Sequence, residues 1–510
     1  MSLRDYRVLW VGVLLGFLCF LRADRTNRDL LYLQNQIMLR SLKPPTEREL
    51  FERTAVGMIS SLDDPHSAYI PDSLTQQFNE MIDSTMRGIG IEMRIDPASD
   101  QPIVISPVDG SPAQHAGLRA GDRIVRVDDH DTKGCPLKEV QSWIRGEART
   151  TVRLRIVATT TPATENDTAA ERVVSVMRDS FPVPAVAGDA READGRWDFR
   201  LRGDPSIGYI RILSFGQQTA FELERAIHTL TSPTSGADGS VVRGLILDLR
   251  GNPGGLLHQG ILICDQFLDD GVIVTQRGRD GVIVDIAMAA SDDTIPEARE
   301  LPIVILVDRD TASAAEVVAA CLADHGRAVI VGERSYGKGS IQDLVTLPKG
   351  RGMFKLTTGS YWRPSGRNIN RFPDSTDADD WGVSPEPENR FTATPETEAR
   401  RVIWRELFDA PDPQMIPVSQ IAANLVEPDV TPPGKTHDHA ESTEPAPDAS
   451  AGETPDAAAT EPESAMDESE RQMRKAAEEA KKLPITWWLD VDRMTLDPAL
   501  QRAVRILTAP

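Results

Sequence analysis

The rhythm of hydrophobic and polar positions changes several times along the chain, and each change marks a unit. An uncharged apolar run, VLWVGVLLGFLCFL from Val8 to Leu21, follows Arg4 and Arg7. It is shorter than the roughly 20 residues of a spanning helix, and no A-x-A-like cleavage site follows it. Residues 1–25 therefore read as a signal anchor or signal peptide, the uncleaved anchor being preferred, with Trp10 and the flanking arginines at the interfaces. The polar stretch Asn27 to Leu42 predicts a helix, and Thr46 with Glu49 forms a capping box that opens another, so 26–85 is a helical region. Over 86–158 the pattern turns to short strand-like runs, GIGIEM, PIVISPV, DRIVRVD and TVRLRIV, with helices in SPAQHAG and PLKEVQSWIRG. Such runs predict a small barrel-like module. A polar spacer covers 159–177.

From 178 to 395 near-continuous apolar strands (SIGYIRILSF, VRGLILDLR, LPIVILVD, AVIVGE) alternate with helical patterns (TAFELERAIHTL, GGLLHQGILICDQFL, ASAAEVVAACLADHG). Strands without polar alternation are buried on both faces, so the prediction is an α/β sheet covered on each side. A C-terminal extension, 396–426, leads to an acidic Pro/Ala-rich linker, 427–465, too poor in hydrophobes to build a core and read as disordered. Helical patterns return over 466–510, where Leu500, Ala503, Val504 and Leu507 share one face.

Composition narrows the function classes. The chain has 510 residues, room for two to four domains, and a formal net charge of −22, which argues against a protein that grips nucleic-acid phosphates. Its cysteines, Cys19, Cys135, Cys264 and Cys321, have neither a disulfide framework nor metal-ligand spacing. The HDH of the linker has no partner ligands, and no metal or other cofactor is expected.

The chemistry centres on three loops. GERSYGKGS, Gly332 to Ser340, lies close to the phosphate-binding pattern G-x-x-x-x-G-K-[ST], but a strand-like SIQDLVTLP follows it instead of the helix that pattern requires. H-E-x-x-H, G-x-S-x-G and D-[ST]-G are all absent. A nucleophile is available in TASAAE: Ser313 follows a buried strand and starts a helix, where the Ala314 amide can face an oxyanion. RGNPGG, Arg250 to Gly255, is a second strand-to-helix turn able to present an amide. A desolvated Lys338 could serve as base, with Gln342 orienting its amine; a surface lysine in a glycine turn fits the local residues as well, and His258 is an alternative base.

In chain order, SSLDDPHSAYI, GIGIEM, SPAQHAGLRAGDRIVRVD, GYIRILSFG, LILDLRGNPGG, TASAAE, GRAVIVGERSYGKGSIQ and PSGRNI resemble the carboxyl-terminal processing (tail-specific) proteases, serine peptidases with a Ser/Lys dyad and an embedded PDZ domain. The resemblance runs from about Leu42 to about Pro385. It implies an α/β protease core of crotonase-like β-α units, an embedded PDZ domain, an N-terminal helical region and a partly disordered C-terminal tail. It makes Ser313 the nucleophile, Lys338 the general base and Gln342 its positioner, with oxyanion amides from Ala314 and one of Gly254 and Gly255. Gly88, Ile89, Gly90 and Ile91 match the PDZ loop that takes a peptide's terminal carboxylate. Thr311 and Ala315 stand where the family has serines around the nucleophile. The implied partners are protein substrates held by their C-terminal tails, and the expected location is the cell envelope, with the anchor in the membrane and the catalytic part extracytoplasmic (periplasmic). The competing readings are a catalytically inactive PDZ scaffold and a crotonase-type acyl-CoA enzyme.

Overall fold

The computed structural model describes residues 28–409, except 83, 97–98, 159–170, 193–195 and 233–241, and then 468–480, 482–483, 488 and 496–509. The apolar leader, most of the spacer, the acidic linker and its HDH lie outside the described residues. Among those described, no helix is long and apolar enough to cross a membrane. The chain divides into two compact units, one running up to Phe78 and including Ile341–Gly359, the other formed by Asn79–Ser340 and the residues from Ser360 on.

The first unit contains a helix over 28–40 and the helix Glu47–Ser60. The predicted capping box is present: the Glu49 amide donates to Thr46 Oγ1 (3.2 Å) and the Thr46 amide to Glu49 Oε2 (2.7 Å). Strand Ala68–Ile70 pairs antiparallel with Met353–Lys355 in the same unit.

In the second unit the module predicted over 86–158 is an antiparallel sheet in the order Ile91–Asp96, Gln101–Pro107, Asp122–Val127, Thr151–Ala158, Glu171–Met177. Alternation builds its core: Val152, Leu154 and Ile156 are buried while Thr151, Arg153 and Arg155 face water. Helix Leu137–Ile144 adds Val140 and Ile144 to Ile89, Val104 and Ile124. The predicted spacer is shorter than its expected span. Its last residues form the fifth strand, in register with Thr151–Val157, because Val174 and Val176 supply the apolar half of a strand pattern.

The core of the second unit has four parallel strands in chain order: β1 (Asp204–Ile212), β2 (Gly244–Asp248), β3 (Ile303–Val307) and β4 (Ala328–Gly332). Between them run α1 (Thr219–Thr231), α2 (Leu257–Asp265) and α3 (Ala314–Asp324). Every residue of β2 and β3 is buried, as apolar strands without alternation require. On one face α1 lies so close that a Cβ added at Gly208 would sit 2.2 Å from Leu230 Cδ2. Two later helices, α4 (Pro395–Asp409) and α5 (Glu468–Ala480), pack together through Ile403, Trp404, Leu407 and Ala477. The last helix, α6 (Pro498–Thr508), sets Leu500, Ala503 and Leu507 against Ile207, Tyr209, Ile246 and Val304 on the opposite sheet face. Each fully buried leucine or isoleucine there contributes about 1.5–3 kcal/mol. The carboxyl ends of β2, β3 and β4 open into the three loops the sequence singled out, the usual place for a site in a parallel sheet.

Candidate active site

Strand β3 ends at Val307, and six residues later the chain reaches Ser313, one residue before α3. Ser313 has φ 57° and ψ −120°, a backbone state that L-residues avoid at a cost of about 1–3 kcal/mol. It is a sharp strand-to-helix turn of the kind a nucleophile elbow uses, reached without a G-x-S-x-G sequence. Its neighbours over-determine it. The Thr311 hydroxyl donates to Leu249 O (2.9 Å) and the Ala312 amide to Asn252 O (2.9 Å), tying this loop to RGNPGG. Gly251 N in turn donates to Asp308 Oδ1 (2.9 Å). Thr311, where the family has serine, thus uses its hydroxyl as a strut between the loops.

Gly254 closes the same corner. Its φ is 95°, and a Cβ there would lie 2.7 Å from Ser313 Cβ, 2.7 Å from Ala312 O and 3.0 Å from Ala314 N. No side chain fits beside the serine. The Gly254 amide donates to Asn252 Oδ1 (2.8 Å), so of the two glycines proposed as oxyanion donors this one is engaged within its own turn. The amides of Gly255 and Ala314 meet no acceptor among the described residues. For Ala314 the cause is general, since the first amides of a helix have no intrahelical partner.

What draws the serine and the lysine together is Glu316, which is 0% exposed. Its Oε2 accepts from the amides of Ser313 (2.9 Å) and Lys338 (2.7 Å). Its Oε1 accepts from the Gly337 amide (2.7 Å) and the Ser335 hydroxyl (2.5 Å). One carboxylate therefore holds the backbone of the candidate nucleophile and that of the candidate base on a single oxygen. Burial raises the Glu316 pKa to about 6, against the lowering pull of these four hydrogen bonds. The sequence reading missed Glu316, although its signal was present: Ser313 with Glu three residues on is the same S/T-x-x-E spacing recognised at Thr46.

The half-buried Lys338 leaves β4 on a tight path. A Cβ at Gly337 would meet Arg371 Cβ at 2.7 Å, and one at Gly339 would meet Asn370 N at 2.3 Å. The glycines of G-K-G thus let the segment around Asn370 press against the loop, with Arg371 N donating to Gly337 O (2.8 Å). The loop that carries the lysine is packed on both sides and runs into a strand from Ser340, not into the helix a phosphate cradle requires.

Comparison with known proteins matches the chain to a family. The sequence model described as peptidase family S41 matches residues 206–378, and that of the PDZ domain matches 103–157. The carboxy-terminal-processing protease of Bartonella bacilliformis is 35% identical over 332 residues, 64% of this chain and 68% of that protein. This chain belongs to the carboxy-terminal processing proteases, peptidase family S41. The carboxyl-terminal-processing protease of Picosynechococcus is 34% identical over 340 residues, 66% of this chain and 74% of that protein. Among solved structures, a photosystem II D1 C-terminal processing protease is 29% identical, covering 69% of this chain and 84% of its own, with a TM-score of 0.38.

The remaining predicted residues fall as follows. Gln342 lies in the first unit, where its Nε2 donates to Thr357 Oγ1 (3.3 Å). His258 is exposed on α2 with its ring nitrogen 3.1 Å from Gln259 Nε2. In the PDZ domain, Gly90 has φ 75°, and a Cβ there would lie 2.3 Å from Ser111 Cβ. Its carbonyl accepts from the Val108 amide and the Ser111 hydroxyl, both at 3.0 Å, while Ile89 is buried. The Gly88–Ile91 turn is thereby fixed at the start of Ile91–Asp96, an edge strand whose only partner among the described strands is Gln101–Pro107.

Proposed function

We propose that the chain is a serine endopeptidase that captures a protein by its C-terminal tail in the PDZ domain and cleaves it with Ser313 and Lys338. The single observation behind this reading is Glu316 Oε2, which carries the backbone amides of both residues beside a serine held at φ 57°. Lys338, in its neutral form, takes the proton from Ser313 Oγ as that oxygen attacks the scissile carbonyl carbon. The amides of Ala314 and Gly255 hold the oxyanion. As the C–N bond breaks, Lys338 returns the proton to the leaving amine, and an acyl-enzyme remains. Water, deprotonated by Lys338, then releases the new carboxyl terminus. The tail adds to the open edge of Ile91–Asp96 with its carboxylate at Gly88–Gly90. The proposal also places the leader in the membrane and the catalytic part outside the cytoplasm, which protease protection of intact cells or spheroplasts would check.

The test uses the detergent-solubilised full chain and an unfolded protein ending in either an apolar or a charged tail. Cleavage of the apolar-tailed protein, lowered about a thousandfold or more by Ser313→Ala or Lys338→Ala, is expected. Full activity in Lys338→Ala would refute the dyad.

A further inference from the structure

RGNPGG, which presents the Gly255 amide, is anchored at its first residue in an unusual way. Arg250 is almost fully buried, its side chain 7% exposed, between two carboxylates each 4% exposed. It binds Asp248 through two contacts (Nε–Oδ1 2.9 Å, Nη2–Oδ2 2.6 Å). Its remaining terminal nitrogen reaches Asp497, with Nη1 donating to Oδ1 (3.0 Å) and Nη2 lying 2.9 Å from Oδ2. Asp248 is an ordinary neighbour at the end of β2. Asp497 lies 247 residues further along the chain, beyond the acidic linker and outside the region matched by the family model.

Asp497 is also the N-cap of α6, where its Oδ1 accepts from the Leu500 amide (3.0 Å). A single carboxylate thus starts the last helix and completes the coordination of the arginine that begins the oxyanion turn. Three further supports tie the turn to the segment that carries Ser313, Gly251 to Asp308, Asn252 to Ala312 and Leu249 to Thr311, and others tie it to the end of β1 and the loop after it, through Asn252 to Ile212 O and Phe215 to Gly254 O. Beside the anchor lies a cavity of about 570 Å³, lined in part by Arg250, Asp308, Glu333, Arg401 and Asp497. Without Asp497, one end of the guanidinium is left with buried, unsatisfied donors and with space to swing into, and the turn would move with it.

We infer that Asp497 is a positioning residue for the protease: the C-terminal helix acts as a clasp that fixes Arg250 and, through it, the turn bearing Gly255. The inference rests on the proteolytic reading for its kinetic effect, and its structural content stands apart from it. The variant is Asp497→Asn. Asparagine caps a helix as well as aspartate does, but it removes the charge and turns N–H donors towards the guanidinium. Leu507→Ala is the comparison, since it thins the packing of α6 on the sheet and leaves the Arg250 anchor untouched.

The readouts on the full chain are kcat and KM with an apolar-tailed substrate, thermal melting, and hydrogen–deuterium exchange over residues 249–255. Asp497→Asn is expected to lower kcat about tenfold to a hundredfold, with KM held, and to speed exchange across the turn. Leu507→Ala is expected to lower the melting temperature with kcat held. If the two variants lose kcat only in step with their melting temperatures and exchange over 249–255 is unchanged, the helix is merely part of the core and the inference fails. If the wild-type chain cleaves nothing, the proteolytic reading fails, and the exchange comparison alone decides for or against the clasp.

Discussion

Replacing Glu316 by glutamine keeps the shape of the side chain and swaps one acceptor oxygen for an NH₂ donor. Four donors converge on the carboxylate, so the amide must disappoint some of them. With its nitrogen at the Oε2 position, the Ser313 and Lys338 amides would both lose their acceptor. With its nitrogen at Oε1, only the Gly337 amide is orphaned, because the Ser335 hydroxyl can turn to accept. The second orientation wins, leaving one buried N–H unpaired at about 1–3 kcal/mol and weakening the two surviving bonds by about 1 kcal/mol each as they lose charge assistance. Relief of the buried charge offsets part of this, since burial holds the Glu316 pKa up near 6 against an ordinary 4.5. The net expectation is a loss of about 1–3 kcal/mol of stability, with kcat down about tenfold to a hundredfold as the serine and lysine loosen from each other. KM should change little, because the PDZ domain is untouched. Glu316→Ala orphans all four donors and leaves a cavity, so it should cost several kcal/mol and lose folded protein. Urea melts together with kcat and KM on one apolar-tailed substrate decide the matter. A Gln variant with kcat within about twofold of wild type would refute the view that this carboxylate sets the geometry of the pair.

Two further outcomes follow from the same corner. Gly254→Ala should lower kcat at least about a hundredfold, because its Cβ must displace Ser313, whereas Gly203→Ala, also at positive φ (99°) but with open space around it, should cost only about 1–2 kcal/mol in a melt and keep its activity. Activity should fall as pH drops through about 6, when protonated Glu316 can no longer accept all four bonds, and the residual activity of Glu316→Gln should lack that step. The stability effect of this one group has the opposite sign: its folded pKa lies above the unfolded 4.5, so its adverse contribution, about 2 kcal/mol, is present above pH 6 and relieved as pH falls towards 4.5. Activity lost between pH 6 and 5 without loss of secondary structure by circular dichroism is therefore the expected result, and melting that tracks the activity would contradict it.

The architecture was legible where burial dictates composition. GLILD and IVILV are apolar throughout because both faces of β2 and β3 are covered, and TVRLRIV alternates because one face of its sheet meets water. The loops were legible because glycine, alanine and proline mark places where backbone comes close to backbone, and Gly254, Gly337 and Gly339 all prove to be such places. Less legible was anything that depends on which side chains meet. Gly254 and Gly255 are adjacent and alike in sequence, yet only the fold shows that Asn252 claims the first amide and leaves the second open. The span 171–177 reads as spacer because its single apolar face gains meaning only beside Thr151–Ala158.

Glu316 and Asp497 make the point most sharply. Each is an acidic residue at the first turn of a helix, and local sequence accounts for both as caps. Neither local role explains a carboxyl group buried at 0% and 3% exposure respectively, since a solvent-facing cap would do as well for the helix. The burial is explained by what each reaches across the fold: Lys338 for one, Arg250 for the other. Burying an ionised carboxylate is costly unless every lone pair is used, so such a group persists where its hydrogen bonds must fix backbone that would otherwise drift. In this chain one buried cap holds the backbone of Ser313 and Lys338 and the other holds Arg250 at the head of RGNPGG, whose Gly254 packs against Ser313, so α3 and α6, far apart in sequence, both tie into one corner of the fold.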